Sequence, residues 1–376
     1  MQARIGAKSL EIYREDFVFR VAPISLTSSI GIFLLSAFAA NSANGQPPVV
    51  PPSKEQIRVV TNEVSLAVTA TNAHGEFVVD LSRQDFHVFD DGAEQAIDRW
   101  DLAGDPLSVA LVIETSSRVR AMAPAIHGIG SIFTETVMAM NGEASVITYD
   151  SDVVLRQVFT QDHDAVAKAI AEAKFEVPER NLYDAMAMAV EGLKAQPSSR
   201  RRIMLILGEA QDEDSTAKLG EIVRDAEHAN ITIYVVGPSS VAADLRVGQQ
   251  APAPTKLGGL PPVSTAPPKN DHMDRPFFDL VTPAIWLLER GTNEVKHHQL
   301  EVAAAATGGI QYRAFRDSTI RNAIDKIGDE LHSQYIVSYR PNSPPSPGFH
   351  KINVAIARPG VFVRARPGYY VTDSRN

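Results

Sequence analysis

No cysteine occurs among the 376 residues. Disulfides, thiolate metal centres, iron–sulfur clusters and cysteine nucleophiles are therefore excluded. The compartment stays open, because an exported chain can fold without disulfides. Positive charge is in the minority: 36 Lys and Arg stand against 45 Asp and Glu, a net charge of −9. No basic run carries interleaved aromatics, so nucleic acid is not expected as a partner. Two catalytic signatures are also missing. No G-x-S-x-G elbow exists to expose a serine nucleophile. No G-x-G-x-x-G follows the first buried strand, and Gly128-Ile129-Gly130 falls inside a helical pattern, so an NAD enzyme is disfavoured. What remains is a chain with 44% hydrophobic and 22% charged residues. That describes a globular body with a sizeable core, long enough for two domains.

Long uncharged runs are rare, and the one at the amino terminus is informative. Arg14 and Arg20 precede an uncharged stretch, residues 21–40, that includes Ile30, Ile32, Phe33, Leu34 and Leu35. Small residues follow, Ala37, Ala39, Ala40, Ser42 and Ala43. The order basic, apolar, small reads as a secretory signal peptide over 1–43, with cleavage after Ala39 or Ala43. An exported protein, periplasmic or extracellular, is expected. The alternative is an uncleaved anchor, since the run approaches the ~20 residues a span requires. Membrane contact is expected through this segment alone. Residues 44–56 are a proline-rich extended linker.

Residues 57–104 read as an antiparallel β unit. Val64, Leu66, Val68 and Ala70 alternate with more polar neighbours, the period of a half-buried strand. Further short strands are expected at 77–79, 86–89 and 95–100, with Asp90-Asp91-Gly92 as a hairpin turn. From Pro106 strands alternate with helices, which predicts a mainly parallel sheet covered on both faces. Strands fall at 107–113, 143–149, 153–159, 201–207, 231–236 and 310–314. Helices fall at 121–140, 162–173, 182–193, 217–229, 277–306 and 318–331. Residues 239–275, rich in Pro, Ala, Gly and Gln, read as a mobile insertion in this α/β domain of 105–331. Period two returns in 332–371, with three strands expected at 335–340, 351–356 and 361–364. Four short strands make a marginal core alone, so the two chain ends are expected to form one β-sandwich with the α/β domain between them. Two separate β pieces are the alternative.

Residues 107–118, LSVALVIETSSR, organise this layout. The near-continuous apolar run is that of a strand buried on both faces. It stops at Glu114, Thr115, Ser116 and Ser117, then Arg118, at the strand end where open α/β sheets bind ligands.

Three stretches, LSVALVIETSS, ERNLYDAMAMAV and RRIMLILGEAQDED, together resemble the metal-site loops of von Willebrand factor A (vWA) domains. The flanks resemble a bacterial subgroup, the acidobacterial VWFA-related proteins, through VTATNAHGEFVVDLSRQDFHVFDDG and the carboxy-terminal segment from HSQYIVSYRPN to ARPGYY. The resemblance covers about residues 57–371 and implies a vWA-like doubly wound sheet and a protein-binding role. It also implies a divalent cation held by D-x-S-x-S, a threonine and an aspartate. Here the aspartate is Glu114, the first serine is Ser116, and the second serine position is Arg118. The threonine falls on Arg180, or on Asn181 with a one-residue slip, and the last aspartate is Glu209.

These departures suit magnesium poorly. Magnesium wants near-octahedral oxygens at ~2.0–2.1 Å, and each Glu for Asp moves a carboxylate outward by ~1.5 Å, about one backbone C–C bond. A guanidinium is always ionised and forks onto carboxylates. At ~4 Å and an effective dielectric of ~20, each such pair is worth ~4 kcal/mol before desolvation. The expectation is a degenerate, vacant metal site at Glu114, Ser116 and Glu209. Arg118 and Arg180 are expected to stand in the place of the ion, paired with Glu114 and Glu209. No cofactor is expected, with Mg²⁺ as the alternative. The partner, another protein offering an acidic group, is expected to meet a rim of Ser116, Ser117, Arg118, Arg180, Asn181 and Asp212. A non-enzymatic adhesion or scaffold module follows. The alternatives are a Mg²⁺-dependent binder with adapted glutamates and a hydrolase using Ser116. Three lesser clusters read as solvated surface: Glu209, Asp212, Glu213 and Asp214, without EF-hand spacing for calcium; His297-His298, which share no helix face; and Asp271, His272 and Asp274.

Overall fold

The computed structural model describes residues 63–209, 211–238, 299–314 and 316–371. The expected signal segment, linker and insertion lie outside these, as do His297-His298, residues 271–274 and most of the helix expected at 277–306. No helix among the described residues is long and apolar enough to cross a membrane.

In chain order the strands are β1 (Val64–Thr71), β2 (Phe86–Asp90), β3 (Ala93–Gln95), β4 (Ile97–Leu102), β5 (Leu107–Glu114), β6 (Glu143–Tyr149) and β7 (Val153–Thr160). Next come β8 (Arg201–Leu207), β9 (Ile231–Gly237), β10 (Gln311–Arg313), β11 (Tyr335–Tyr339), β12 (Gly348–Ile356), β13 (Phe362–Arg364) and β14 (Gly368–Val371). The fold is α/β with a mainly parallel central layer. Six strands run in the order β10-β9-β8-β5-β6-β7, all parallel except β7, which returns antiparallel beside β6.

Strand β5 lies at the middle of this sheet, and all eight of its residues are buried. Its alternation sends Leu107, Val109, Leu111 and Ile113 into one apolar cluster and Ala110 and Val112 into another. The first cluster holds the helix Asp317–Ser333, the helix His163–Ala171 and the helical segment of residues 117–138. The second holds the helices Leu182–Lys194, Leu219–His228 and Gln299–Ala306. Helices therefore cover both faces, which is why the strand reads as an unbroken apolar run.

Strands from both chain ends pair with each other. One antiparallel sheet is β13-β1-β11-β4 and the other is β14-β12-β2-β3. The register sets Leu66 opposite Val337 and Val88 opposite Val354. The two sheets share a core that includes Leu66, Val68, Val88, Tyr335, Val337, Tyr339 and Ile352. Phe86, Trp100 and Tyr335 pack there ring against ring.

The structure corrects the expected elements in four places. Residues 77–79 form no strand, and Phe77 makes only an isolated bridge to Thr71. The strand expected over 95–100 is two: β3 closes the hairpin with β2, and β4 crosses to the other sheet beside β11. The helix expected over 121–140 is a chain of short turns, Ala123–His127, Gly130–Ile132 and a widened turn Phe133–Met138. Gly128 and Gly130 weaken it, and the widened turn shifts its face. Ile126, Ile129, Phe133, Val137 and Met140 have the spacing of one helix face; the first four are buried, whereas Met140 is 92% exposed. The fourth correction is β14, an additional carboxy-terminal strand against β12.

Glu330 connects the layers. It is 2% exposed. Its Oε1 accepts from Tyr234 Oη on β9 (2.5 Å), Gln334 Nε2 (3.2 Å) and Thr69 Oγ1 on β1 (3.3 Å), and pairs with Arg364 Nη2 on β13 at 2.5 Å. Removing one partner of a buried ion pair leaves the other charge uncompensated, at a cost of ~3–5 kcal/mol. Glu330→Ala should lower the unfolding free energy by that order in urea titration, and Glu330→Gln should lose less.

Candidate functional site

Three loops converge at the carboxyl end of β5, and backbone bonds hold them together. Thr115 N donates to Tyr149 O at 2.8 Å, Ser117 N to Val177 O at 2.6 Å, and Glu213 N to Arg180 O at 3.1 Å. Asn181 N reaches Asp150 O at 2.9 Å, and its Nδ2 reaches Ser151 O at 2.7 Å. Asp212 Oδ1 accepts from Tyr183 N at 3.0 Å, in the first turn of the helix Leu182–Lys194, and from Ser215 Oγ at 2.6 Å.

Glu114 is fully buried at the centre. Ser116 Oγ donates to its Oε1 at 2.5 Å, and Glu209 N donates to its Oε2 at 2.6 Å. The second contact depends on Gly208, where a Cβ would lie 2.5 Å from Glu114 Cβ. Burial raises the Glu114 carboxyl from its ordinary 4.5 to about 7. The Ser116 bond, the Arg180 charge and the Glu209 N–H pull it back only in part.

Arg180 is the largest fully buried side chain among the described residues. Its Nη1 donates to Glu209 Oε2 at 2.7 Å, and its Nη2 to Glu213 Oε1 at 2.7 Å and Gln211 Oε1 at 3.1 Å. Burial works against its charge, but the Glu213 bond and the charges of Glu114, Glu213 and Glu209 outweigh that, so its pKa is raised. The Arg180 bond also holds the Glu213 carboxyl below its ordinary range. Four buried polar atoms here have no hydrogen-bond partner: Tyr149 Oη, Glu179 Oε2, Arg180 Nε and Asn181 Oδ1.

The expected pairing and rim are corrected in detail. Arg118 does not reach Glu114. It lies half-exposed, 3.2 Å from Glu213 Oε1, with its Nε donating to Pro178 O at 3.2 Å. Glu114 takes a hydroxyl and a backbone N–H instead, because β5 ends beneath the loops and not on their surface. Of the six rim residues, Ser116 and Arg180 are buried, Ser117, Asn181 and Asp212 are half-buried, and Arg118 is exposed. The acids at 209–213 are engaged by Arg180 and by the helix start, not gathered as a calcium loop. Gln211 and Glu213 were missed as guanidinium partners, and the cue was the acidic density of that loop opposite an arginine.

A divalent cation fits this donor set poorly. Ser116 and Glu114 satisfy each other, Glu114 is pushed toward its neutral form, and a fixed positive charge already touches Glu209. Magnesium needs ionised or carbonyl oxygens free to turn inward.

No protein-family model matches the chain, and no curated protein matches it. Solved structures do. An aerotolerance-related membrane protein of Bacteroides fragilis, carrying multiple mutations to serine, aligns at 12% identity over 59% of this chain and 98% of its own, with TM-score 0.38. The conserved hypothetical protein BatB of Bacteroides thetaiotaomicron aligns at 14% identity over 60% and 98%, with TM-score 0.39. Proximal thread matrix protein 1 of the mussel byssus, with a zinc-occupied MIDAS motif, aligns at 8% identity over 64% and 49%, with TM-score 0.41.

Two predictions follow from the geometry. Arg180→Ala should cost ~2–5 kcal/mol, because it empties a buried position and takes the positive charge away from buried Glu114. Arg118→Ala, at a half-exposed pair, should cost under ~1 kcal/mol; denaturant titrations of both variants check the contrast. Glu114 also implies a pH dependence. The unfolded chain releases this proton near 4.5, and the folded chain holds it to about 7. The stability it supplies is complete below pH 4.5 and is lost as pH rises through 7, by about 3 kcal/mol. Glu114→Gln keeps the shape without the titration. It should be the more stable form at pH 8 and should flatten the slope between pH 4.5 and 7 relative to the unaltered chain. Glu227, also raised to about 7 by burial, contributes equally to both.

Proposed function

We propose that this chain is an exported, non-enzymatic protein-binding module of vWA type that works without a metal ion at its loop end. The observation that supports this best is Arg180, buried and bonded to Glu209, Glu213 and Gln211. Its charge occupies the role a divalent ion would have toward these acids, and it is built into the fold, not recruited from solvent. The partner meets the exposed shell above it, where Arg118 and Glu213 stand at the surface. Arg118 can fork onto an acidic group of the partner. Asp212 and Asn181 position the loops, and Ser116 is too deeply buried to serve as a hydrolase nucleophile. On this reading the domain limits are a β-sandwich built from 57–104 and 332–371 and an α/β domain at 105–331. The amino-terminal signal segment delivers it outside the cell.

Calorimetric titration of the purified chain with MgCl₂ and MnCl₂ tests the metal-free reading. No binding heat is expected. Micromolar binding abolished by Ser116→Ala would overturn it in favour of a metal-dependent binder with adapted glutamates.

A further inference from the structure

A second group of side chains lies in the antiparallel sheets, away from the loop end of β5. Asp90 ends β2, Asp91 follows it in the turn to β3, and His350 sits on β12, the neighbour of β2. One ligand-capable atom of each lies within 4.8 Å of the other two. Asp90 and His350 are each 7% exposed, and Asp91 is open to solvent.

Asp90 is a buried carboxylate with uneven support. Its Oδ2 accepts from Tyr339 Oη at 2.9 Å and Tyr369 Oη at 3.0 Å. Its Oδ1 is buried and has no hydrogen-bond partner. Leaving such an oxygen bare costs free energy that folding must offset elsewhere.

His350 is oriented with unusual completeness. Its Nε2 lies 2.6 Å from Ser346 O, its Nδ1 lies 2.8 Å from Asp91 Oδ2, and its ring stacks on Tyr369 at 5.1 Å. A carbonyl oxygen only accepts, so Nε2 carries a proton. In the neutral ring, Nδ1 then turns a lone pair toward a carboxylate. At this distance a proton lies between them in the metal-free chain, and a cation bound to both atoms would replace it. A proton on Nδ1 serves Asp91 and leaves Asp90 Oδ1 bare. A metal ion serves all three. The surroundings are also those of a metal site: a backbone carbonyl fixes the tautomer of the imidazole, and hydroxyl donors hold the second oxygen of a carboxylate.

We propose that Asp90, Asp91 and His350 bind a first-row divalent transition ion of the zinc type, with one position left to water. An imidazole beside two carboxylates suits zinc, whereas magnesium and calcium prefer oxygen alone. The site is independent of the loop end of β5. It clips the β2–β3 turn to β12, and so joins the two ends of the chain.

Calorimetric titration of the metal-stripped full chain with ZnCl₂ should show one ion bound. Asp91→Asn, at an exposed position, and His350→Gln should each weaken it at least tenfold, with circular dichroism reporting an intact fold. CoCl₂ should give visible absorption bands that are lost in Asp91→Asn. Absence of zinc binding, or zinc affinity unchanged by both substitutions, overturns the assignment.

Discussion

The molecule depends on neutralising charge where there is no water to do it. Strand β5 is sealed along its whole length, so whatever stands at its carboxyl end inherits a dry environment. The residue there is Glu114, and a carboxylate in such a place must find donors or give up its charge. It does some of both. It takes a hydroxyl from Ser116 and an N–H from Glu209, and it still holds its proton to about 7. Arg180 completes the arrangement by gathering the acids of the third loop, so the three loops are locked by ion pairs and hydrogen bonds. Because the guanidinium belongs to the chain itself, these bonds are built into the fold.

The same logic recurs at Glu330. A single buried carboxylate collects Tyr234, Thr69, Gln334 and Arg364 from separate elements. Both centres are costly to desolvate and strict in geometry. Glu330 registers the parallel layer against the antiparallel sheets, and Glu114 with Arg180 registers the three loops against one another.

Much of this architecture was legible in the sequence because it rests on periodicity. The unbroken apolar run of β5 and the alternation of β1 and β11 follow from local pattern. What was not legible rests on contacts between distant residues. Residues 95–100 carry no glycine or proline, and nothing local marks the crossing of the chain between sheets before Ile97. Met140 sits in phase with the buried face of an ideal helix, but the helical segment ends at Met138, and Ala139, at φ 50°, turns the chain outward. In the site, the arginine at 180 was visible, but not its depth, nor that Gly208 would let a backbone N–H take the place at Glu114 assigned to Arg118. The Asp90, Asp91 and His350 group was invisible for a simpler reason. A hairpin turn and a histidine about 260 positions later share no local signal.

The pairing of the first described strand with strands near the carboxyl end has a consequence for the order of assembly. Thr69 and Glu330, which bond across the layers, are 261 positions apart. The parallel layer contains its own core and can collapse as soon as its residues are available. Strand β1 cannot, because its neighbours β11 and β13 come last in the chain. Long-range pairing of this kind is slow, and an unpaired edge invites association with other chains. During synthesis β1 therefore waits as an open edge, and the antiparallel sheets close only once β11 to β14 have been made.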